Sequence, residues 1–177
     1  SYRHGFHAGN HADVLKHSAL VALLRILARK DKPLLVVDTH AGAGMYSLEQ
    51  GFAVRNAEFR GGIGALWERS DLPESVTDYL DQVRAVNPDG VLRQYPGSPR
   101  IALGVLRPQD RMRLFELHST EGAILARQFA QEGRRVTVTA GDGFAGLKAV
   151  LPPPSRRGLV LIAPSYELAT DYRAVVT

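Results

Sequence analysis

Four short strand-like runs alternate with helical segments along this chain, and each run leads into a turn that contains glycine or a polar residue. The runs lie at residues 34–37, 113–117, 136–139 and 159–162. The runs at 34–37 and 159–162 consist of leucine, valine and isoleucine, which is typical of strands buried in a parallel sheet. The regular alternation with helices favours a doubly wound arrangement. The sequence therefore predicts an α/β protein with a mostly parallel sheet.

The helical segments fit the same plan. Asn10 has the side chain of a helix N-cap, and apolar residues then recur at helical spacing up to Lys30. Ser98 is predicted to cap a further helix, with Pro99 in its first turn. Residues 52–96 have a polar, helical pattern and come before the second long strand. We therefore predict one domain over residues 1–177 with a small inserted helical subdomain at 52–96.

Composition excludes several kinds of protein. The chain has no cysteine, which excludes disulfides, thiolate nucleophiles and the usual zinc-finger ligands. Its longest apolar stretches are too short or too interrupted to span a bilayer, and its first residues lack a signal-peptide pattern. The N-terminal histidines have no cysteine beside them and one nearby acid, which argues against a metal site. We therefore expect a cytoplasmic protein with no membrane role and no metal, and we favour a monomer.

The distribution of charge is more informative than its total. The chain has 22 basic and 18 acidic residues, a formal net charge of +4, which an ordinary solvated surface would also give. Basic residues and histidines crowd the N-terminus, and arginine pairs lie next to predicted strands at 134–135 and 156–157. Clusters of this kind are expected on a surface that binds nucleic-acid phosphates.

The ends of the four predicted strands carry residues suited to a ligand. These ends are Asp38, Glu116, the sequence GDG at 141–143, and Ala163. The carboxyl ends of parallel strands share one edge of a sheet, and open α/β sheets bind ligands at that edge. We therefore predict a ligand site there.

Residues at the first three ends match the parts of a nucleoside. Gly42 and Gly44 allow a sharp turn and close approach of a ligand to the backbone. Glu116 can accept hydrogen bonds from two ribose hydroxyls, and Asp142 with Gly143 suits the amino edge and ring of an adenine. Each of these residues alone also fits an ordinary turn or loop. The prediction depends on their occurring together on successive strands.

The fourth run continues as LVLIAPSYE at residues 159–167. With Asp at position 163 it would be the DPPY-type signature of enzymes that methylate exocyclic amines on nucleobases. Pro164 and Tyr166 are present, and Ala163 stands in the acidic position. In such a site a side-chain oxygen at 163 and the carbonyl of Pro164 accept from the target amine, while Tyr166 stacks on an unstacked base.

The longer segments around these residues resemble one family. YRHGFHAGNHADVLKH, DTHAGAG, YPGSP, FELH, DGF, LPPPSRRGLVLIAPSYE and TDY are similar to the RlmJ family, bacterial S-adenosylmethionine-dependent methyltransferases that modify an adenine N6 in 23S ribosomal RNA. The resemblance covers essentially the whole chain and implies a Rossmann-like class I methyltransferase sheet with an inserted helical subdomain.

The resemblance also implies roles for individual residues. It implies donor contacts by His17, His40, Ser98, Glu116, Asp142 and Gly143. The turn residues Gly42 and Gly44, together with Ala163, complete the predicted donor site. Tyr2 is implied to meet the RNA, with Arg3 and His4 beside it, and Ala163, Pro164 and Tyr166 form the predicted catalytic segment.

The chain departs from the family in two ways. Ala163 stands where the family has its catalytic Asp, and Ser165 where a second Pro is commoner. The chain also stops at Thr177, where the family would supply further strands to complete the sheet. We therefore expect weakened or abolished catalysis and a sheet whose C-terminal strands are missing from this chain.

Two alternatives stay open. Ala163 is also consistent with a non-catalytic module that binds the donor and RNA. An NAD-dependent oxidoreductase would also use Glu116 on a ribose, but the chain lacks the GxGxxG turn, and the sequence APSY at 163–166 has no purpose in that class.

Overall fold

A computed structural model describes residues 5, 7–49, 57–166 and 169–176. The RNA contacts predicted for Tyr2, Arg3 and His4 lie outside these described residues and stay predictions. No helix among the described residues is long and apolar enough to cross a membrane. The described residues form two compact units. Lys30–Ala43 and Arg107–Thr177 form a sheet unit, and Arg3–Arg29 and Gly44–Leu106 form a helical unit.

The helices and strands follow one another in this chain order: α1 (His11–Ala28), β1 (Leu35–Asp38), β2 (Met45–Ser47), α2 (Ile63–Leu66), α3 (Glu74–Ala85), β3 (Gln94–Pro96), α4 (Ser98–Val105), β4 (Arg111–Glu116), α5 (Ser119–Gln128), β5 (Val136–Ala140), α6 (Gly143–Val150), β6 (Gly158–Leu161) and α7 (Ala169–Val176). Short 3₁₀ helices lie at Glu58–Arg60 and Ala130–Arg135.

The sheet unit contains four parallel strands in the order β5-β4-β1-β6. Asp38 at the end of β1 is in register with Leu114 of β4 and Leu161 of β6. Every residue of β1 is buried, as expected for a central strand of a parallel sheet. The predicted parallel α/β sheet is confirmed, and its four strands lie within two residues of their predicted bounds.

One face of this sheet packs against α6. Leu35, Val37 and Phe115 form a buried cluster, and Leu147 of α6 packs on it. Gly146 faces the same cluster, because a Cβ there would lie 2.2 Å from the ring of Phe115. This close approach holds the start of α6 next to the carboxyl ends of the strands.

The helical unit is built around α1, which packs on α3 and α4. Asn10 caps α1 as predicted, because its side-chain oxygen accepts from the N–H of Asp13 at 3.0 Å. Leu20 and Leu24 are buried on the packed face. The predicted subdomain 52–96 falls within the sequence range of this unit, and its bounds stay a prediction.

Two local features of the helical unit differ from the prediction. Gly97, one residue before Ser98, is the N-cap of α4, because the carbonyl of Gly97 accepts from the N–H of Ile101 at 3.1 Å. The antiparallel pair of β2 and β3 was not predicted. Each strand has three residues, which is too short to give a recognisable alternating pattern.

Candidate functional site

The loop after β1 is held to the end of β4 by the carboxylate of Glu116. Its two oxygens accept from the backbone N–H groups of Gly42 and His118, each at 2.7 Å. Gly42 has a φ of 64°, in the left-handed region that favours glycine. Each carboxylate oxygen keeps a second lone pair. The half-buried Glu116 can therefore accept from a ligand while it holds the loop.

The end of β1 fixes the ring of His40. The buried Asp38 carboxylate accepts from the N–H of His40 at 3.1 Å. The hydroxyl of Thr39 donates to the carbonyl of Leu161 at 3.1 Å, so its oxygen accepts from Nδ1–H of His40 at 2.8 Å. Burial lowers the pKa of His40, although nearby carboxylates such as Asp38 and Glu116 oppose that shift. The neutral ring therefore presents Nε2 as an acceptor.

The GDG turn after β5 begins α6 beside this loop. Asp142 is the N-cap of α6 and accepts from the N–H of Phe144 at 2.8 Å. No side chain fits at Gly143, because a Cβ there would lie 2.2 Å from the carbonyl oxygen of Thr39. The ring of Phe144 meets that of His40 edge-on, with centroids 5.3 Å apart. The exposed Asp142 carboxylate thus lies at the same edge as His40.

The segment after β6 also lies at the carboxyl edge of the sheet. Ala163 is half-buried, Pro164 is buried, and Tyr166 is 39% exposed. The ring of Tyr166 lies 4.9 Å from that of Tyr172, at an angle of 48°. Tyr166 has a φ of 56°, a left-handed conformation that costs a bulky residue on the order of 1 kcal/mol. Backbone strain of this kind is commonest at functional sites.

His17 lies in the helical unit, where it is fully buried. Its Nδ1 is 2.7 Å from the hydroxyl of Tyr95, which is 2.9 Å from the hydroxyl of Tyr79. Burial raises the pKa of both tyrosines, so both hydroxyls keep their hydrogens. The two phenols therefore fix the position of the His17 ring inside this unit.

Gly44 and Ser98 also belong to the helical unit. Gly44 has a φ of 83°, and its carbonyl accepts from the N–H of Gly97 at 3.0 Å. This hydrogen bond places Gly44 beside the start of α4, where Ser98 is buried.

The predicted site residues thus form two groups, one in each unit. The sheet unit brings the larger group to one edge of its sheet: His40, Gly42, Glu116, Asp142, Gly143 and Ala163, followed by Pro164 and Tyr166. The helical unit holds His17, Gly44 and Ser98. Among the described residues, no group of three or more histidine or acidic side chains could hold a metal ion.

Sequence reasoning missed three contacts at this edge. One is the clamp that Glu116 forms on Gly42, which joins residues 74 positions apart in the chain and leaves no local signal. The second is the ring contact of Phe144 with His40. The third is the hydroxyl of Ser165, which donates to the carboxylate of Asp171 at 3.2 Å. Only the position of Phe144 directly after the GDG turn could have indicated its contact.

The fold and the residues at the carboxyl edge define a class of protein. A parallel sheet with acidic and glycine turns at its carboxyl ends is a Rossmann-like α/β sheet of the methyltransferase type. The chain belongs to the family described as "Ribosomal RNA large subunit methyltransferase D, RlmJ", whose family model matches residues 31–177. The resemblance found in the sequence is thereby confirmed.

Two curated relatives are similar over the whole chain. Both are named "Ribosomal RNA large subunit methyltransferase J". The protein of Escherichia coli (strain K12) is 51% identical, over 100% of this chain and 63% of its own length. That of Haemophilus influenzae (strain ATCC 51907 / DSM 11121 / KW20 / Rd) is 48% identical, over 99% of this chain and 63% of its own length. The chain therefore spans less than two thirds of the length of these relatives.

A solved structure has the same fold. The crystal structure of protein LPL1258 from Legionella pneumophila (str. Philadelphia 1) aligns with a TM-score of 0.87 at 41% identity. The alignment covers 95% of this chain and 61% of that one.

Proposed function

We propose that this chain binds S-adenosylmethionine and a target adenine as part of a 23S ribosomal RNA adenine-N6 methyltransferase whose catalysis is weakened or abolished by Ala163. The main support for the proposal is the carboxyl edge of the sheet. Turns with acidic residues and glycines follow β1, β4 and β5 there, beside the APSY segment. Family membership supports a ribosomal RNA substrate. Such a substrate implies a cytoplasmic place of action, and we propose a monomer.

The side chains at this edge fit the donor. When bound, S-adenosylmethionine supplies an electrophilic methyl group on a positively charged sulfonium. Asp38, Glu116 and Asp142 give the edge three carboxylates, which favour a cation over an anion. Glu116 and Asp142 each keep lone pairs that can accept from ribose hydroxyls and an adenine amino group. For His17, Gly44 and Ser98, a donor contact is proposed from the family resemblance and the sequence alone.

The target adenine is proposed to meet Pro164 and Tyr166. Its N6 nitrogen is a poor nucleophile because the lone pair is delocalised into the ring, so acceptors on both amine hydrogens favour a reactive, pyramidal nitrogen. The carbonyl of Pro164 supplies one acceptor, and the methyl side chain of Ala163 supplies none. Tyr166 would stack on the base, a contact worth about 1–3 kcal/mol in other proteins.

The missing acceptor defines the second candidate function. Loss of a catalytic acid or base costs roughly 100- to 10,000-fold in rate. Ala163 therefore favours, as the alternative, a module that binds donor and RNA without catalysis. Donor binding is common to both candidates, and only measured methyl transfer separates them.

Calorimetric titration with S-adenosylhomocysteine, the demethylated donor, tests the donor site. We expect saturable binding that Glu116→Ala weakens at least tenfold (about 1.4 kcal/mol), because the change removes both the ligand acceptor and the clamp on Gly42. Glu68→Ala is a matched control, since Glu68 is exposed in the helical unit. Equal binding by the Glu116→Ala protein and the unaltered chain would contradict the assignment.

The N-terminal residues Tyr2, Arg3 and His4 are proposed to contact the RNA. Their basic and imidazole groups suit phosphates, so RNA binding should weaken as salt rises, through release of condensed counterions. RNA affinity that stays constant between about 50 and 200 mM salt would contradict this electrostatic contribution.

A further inference from the structure

The amino edge of the sheet, opposite the candidate site, carries a concentration of positive charge. The segments that lead into the four strands are 30–34, 107–111, 132–135 and 153–157. They hold eight lysines and arginines and three acidic residues, an excess of five positive charges, whereas the whole chain has an excess of four. The rest of the chain is therefore net negative. The excess of positive charge is confined to this edge of the sheet. We name these four segments the amino-edge cluster.

Half-buried arginines fix the shape of this cluster. Arg107 donates to the carbonyls of Lys30 and Lys32 at 2.8 and 3.1 Å. Arg157 donates to the same two carbonyls at 3.3 and 2.7 Å. Arg135 donates to the carbonyl of Arg107 at 3.3 Å. These hydrogen bonds join all four segments to one another and hold cations close together despite their mutual repulsion.

Five further cations of the cluster are exposed. None of them forms an ion pair with a carboxylate among the described residues. They are Lys30, Lys32, Arg111, Arg134 and Arg156. Arg156 also has a φ of 54°, a left-handed conformation that glycine or asparagine would adopt more cheaply. Exposed cations that are not neutralised by an ion pair, on a fixed backbone, suit a polyanionic partner.

A cavity of about 650 Å³ opens within this cluster. Lys32, Arg111 and Arg113 supply its positive charge, and Pro153 and Val150 form part of its apolar wall. Apolar walls beside guanidinium groups suit a planar base next to phosphates, since arginine both stacks on bases and binds phosphate oxygens.

We propose that the amino-edge cluster is a second RNA-binding surface, which holds the phosphodiester backbone of the substrate RNA away from the target adenine. This inference rests on the proposed function for its choice of RNA as the partner. Strands of four to six residues separate the two edges by roughly 13–20 Å at 3.3 Å per residue. The cluster therefore contacts a different part of the RNA from the nucleotide at the carboxyl edge.

Charge reversal at exposed cations tests this surface. Arg134→Glu with Arg156→Glu changes two residues whose side chains have no hydrogen bond or ion pair among the described residues. Arg60→Glu with Arg69→Glu, in the helical unit, gives the same change in net charge and is the control. Binding of a labelled 23S ribosomal RNA fragment is measured by fluorescence anisotropy at several salt concentrations, and S-adenosylhomocysteine binding is measured in parallel.

The cluster variant should bind the RNA roughly 10- to 50-fold more weakly at about 0.1 M salt, with a salt slope reduced by roughly 1 per lost contact. Donor binding should be unchanged, which shows that the variant is folded. Equal loss in the control, or unchanged RNA binding in the cluster variant, would overturn the inference and leave the proposed function intact. If polyglutamate displaced the labelled RNA as strongly as unlabelled RNA does, the choice of RNA as the partner would be wrong. Failure of the unaltered chain to bind the RNA would instead contradict the proposed function.

Discussion

The clamp that Glu116 forms between two loops can be tested with one isosteric change. In Glu116→Gln, the side chain keeps one oxygen, so one of the N–H groups of Gly42 and His118 faces an NH₂ group that cannot accept. The lost bond is charge-assisted and 2.7 Å long, and such bonds contribute about 1.5–3 kcal/mol. Because Glu116 is half-buried, we expect the lower part of that range. Glu116→Ala removes both acceptors and should cost more.

Two measurements check this expectation. Urea unfolding gives the change in the free energy of unfolding, with Glu68→Gln as an exposed control that we expect to change it by less than about 0.5 kcal/mol. Amide hydrogen exchange reports the two N–H groups directly. At least one of the amides of Gly42 and His118 should exchange faster in Glu116→Gln, and both in Glu116→Ala. Unchanged exchange at both amides in Glu116→Ala would refute the clamp.

Two further predictions concern the same edge. Burial lowers the pKa of His40 below 6.5, so the unfolded chain binds more protons just below that pH. His40 therefore reduces stability as pH falls from about 6.5 through its folded pKa. In a plot of the unfolding midpoint against pH, His40→Gln should flatten this part of the curve. An unchanged plot would contradict the lowered pKa of His40. Gly143→Ala should destabilise the chain by about 1–3 kcal/mol, since its Cβ would meet Thr39 backbone, whereas Gly141→Ala, with open space around it, should unfold like the unaltered chain.

Local patterns in the sequence were sufficient to predict the sheet. The strands β1 and β6 come from short runs of leucine, valine and isoleucine, and the strand ends follow from the turn residues, so the positions of Asp38 and Glu116 at one edge could be predicted. The N-cap role of Asn10 is likewise a local effect. The N-cap of α4 lies one position before the predicted Ser98, because Gly97 also adopts the extended conformation of an N-cap.

The remaining features depend on contacts between distant parts of the chain. No local pattern predicts that Glu116 clamps the loop after β1 or that Tyr79 and Tyr95 hold His17. The arginine pairs at 134–135 and 156–157 were recognised as a basic cluster, but their place at the amino edge requires the strand register. The pairing of the short strands β2 and β3 also depends on tertiary contacts.

Methyl transfer to 23S ribosomal RNA from cells that lack the modification tests the central claim most directly. The full-length protein and labelled donor are used, and N6-methyladenosine is identified in the digested RNA. Ala163→Asp should transfer methyl roughly 100- to 10,000-fold faster than the unaltered chain, and Tyr166→Ala in that background should reduce the rate again. An Ala163→Asp protein that folds and binds S-adenosylhomocysteine, yet forms no N6-methyladenosine, would contradict the proposed enzyme.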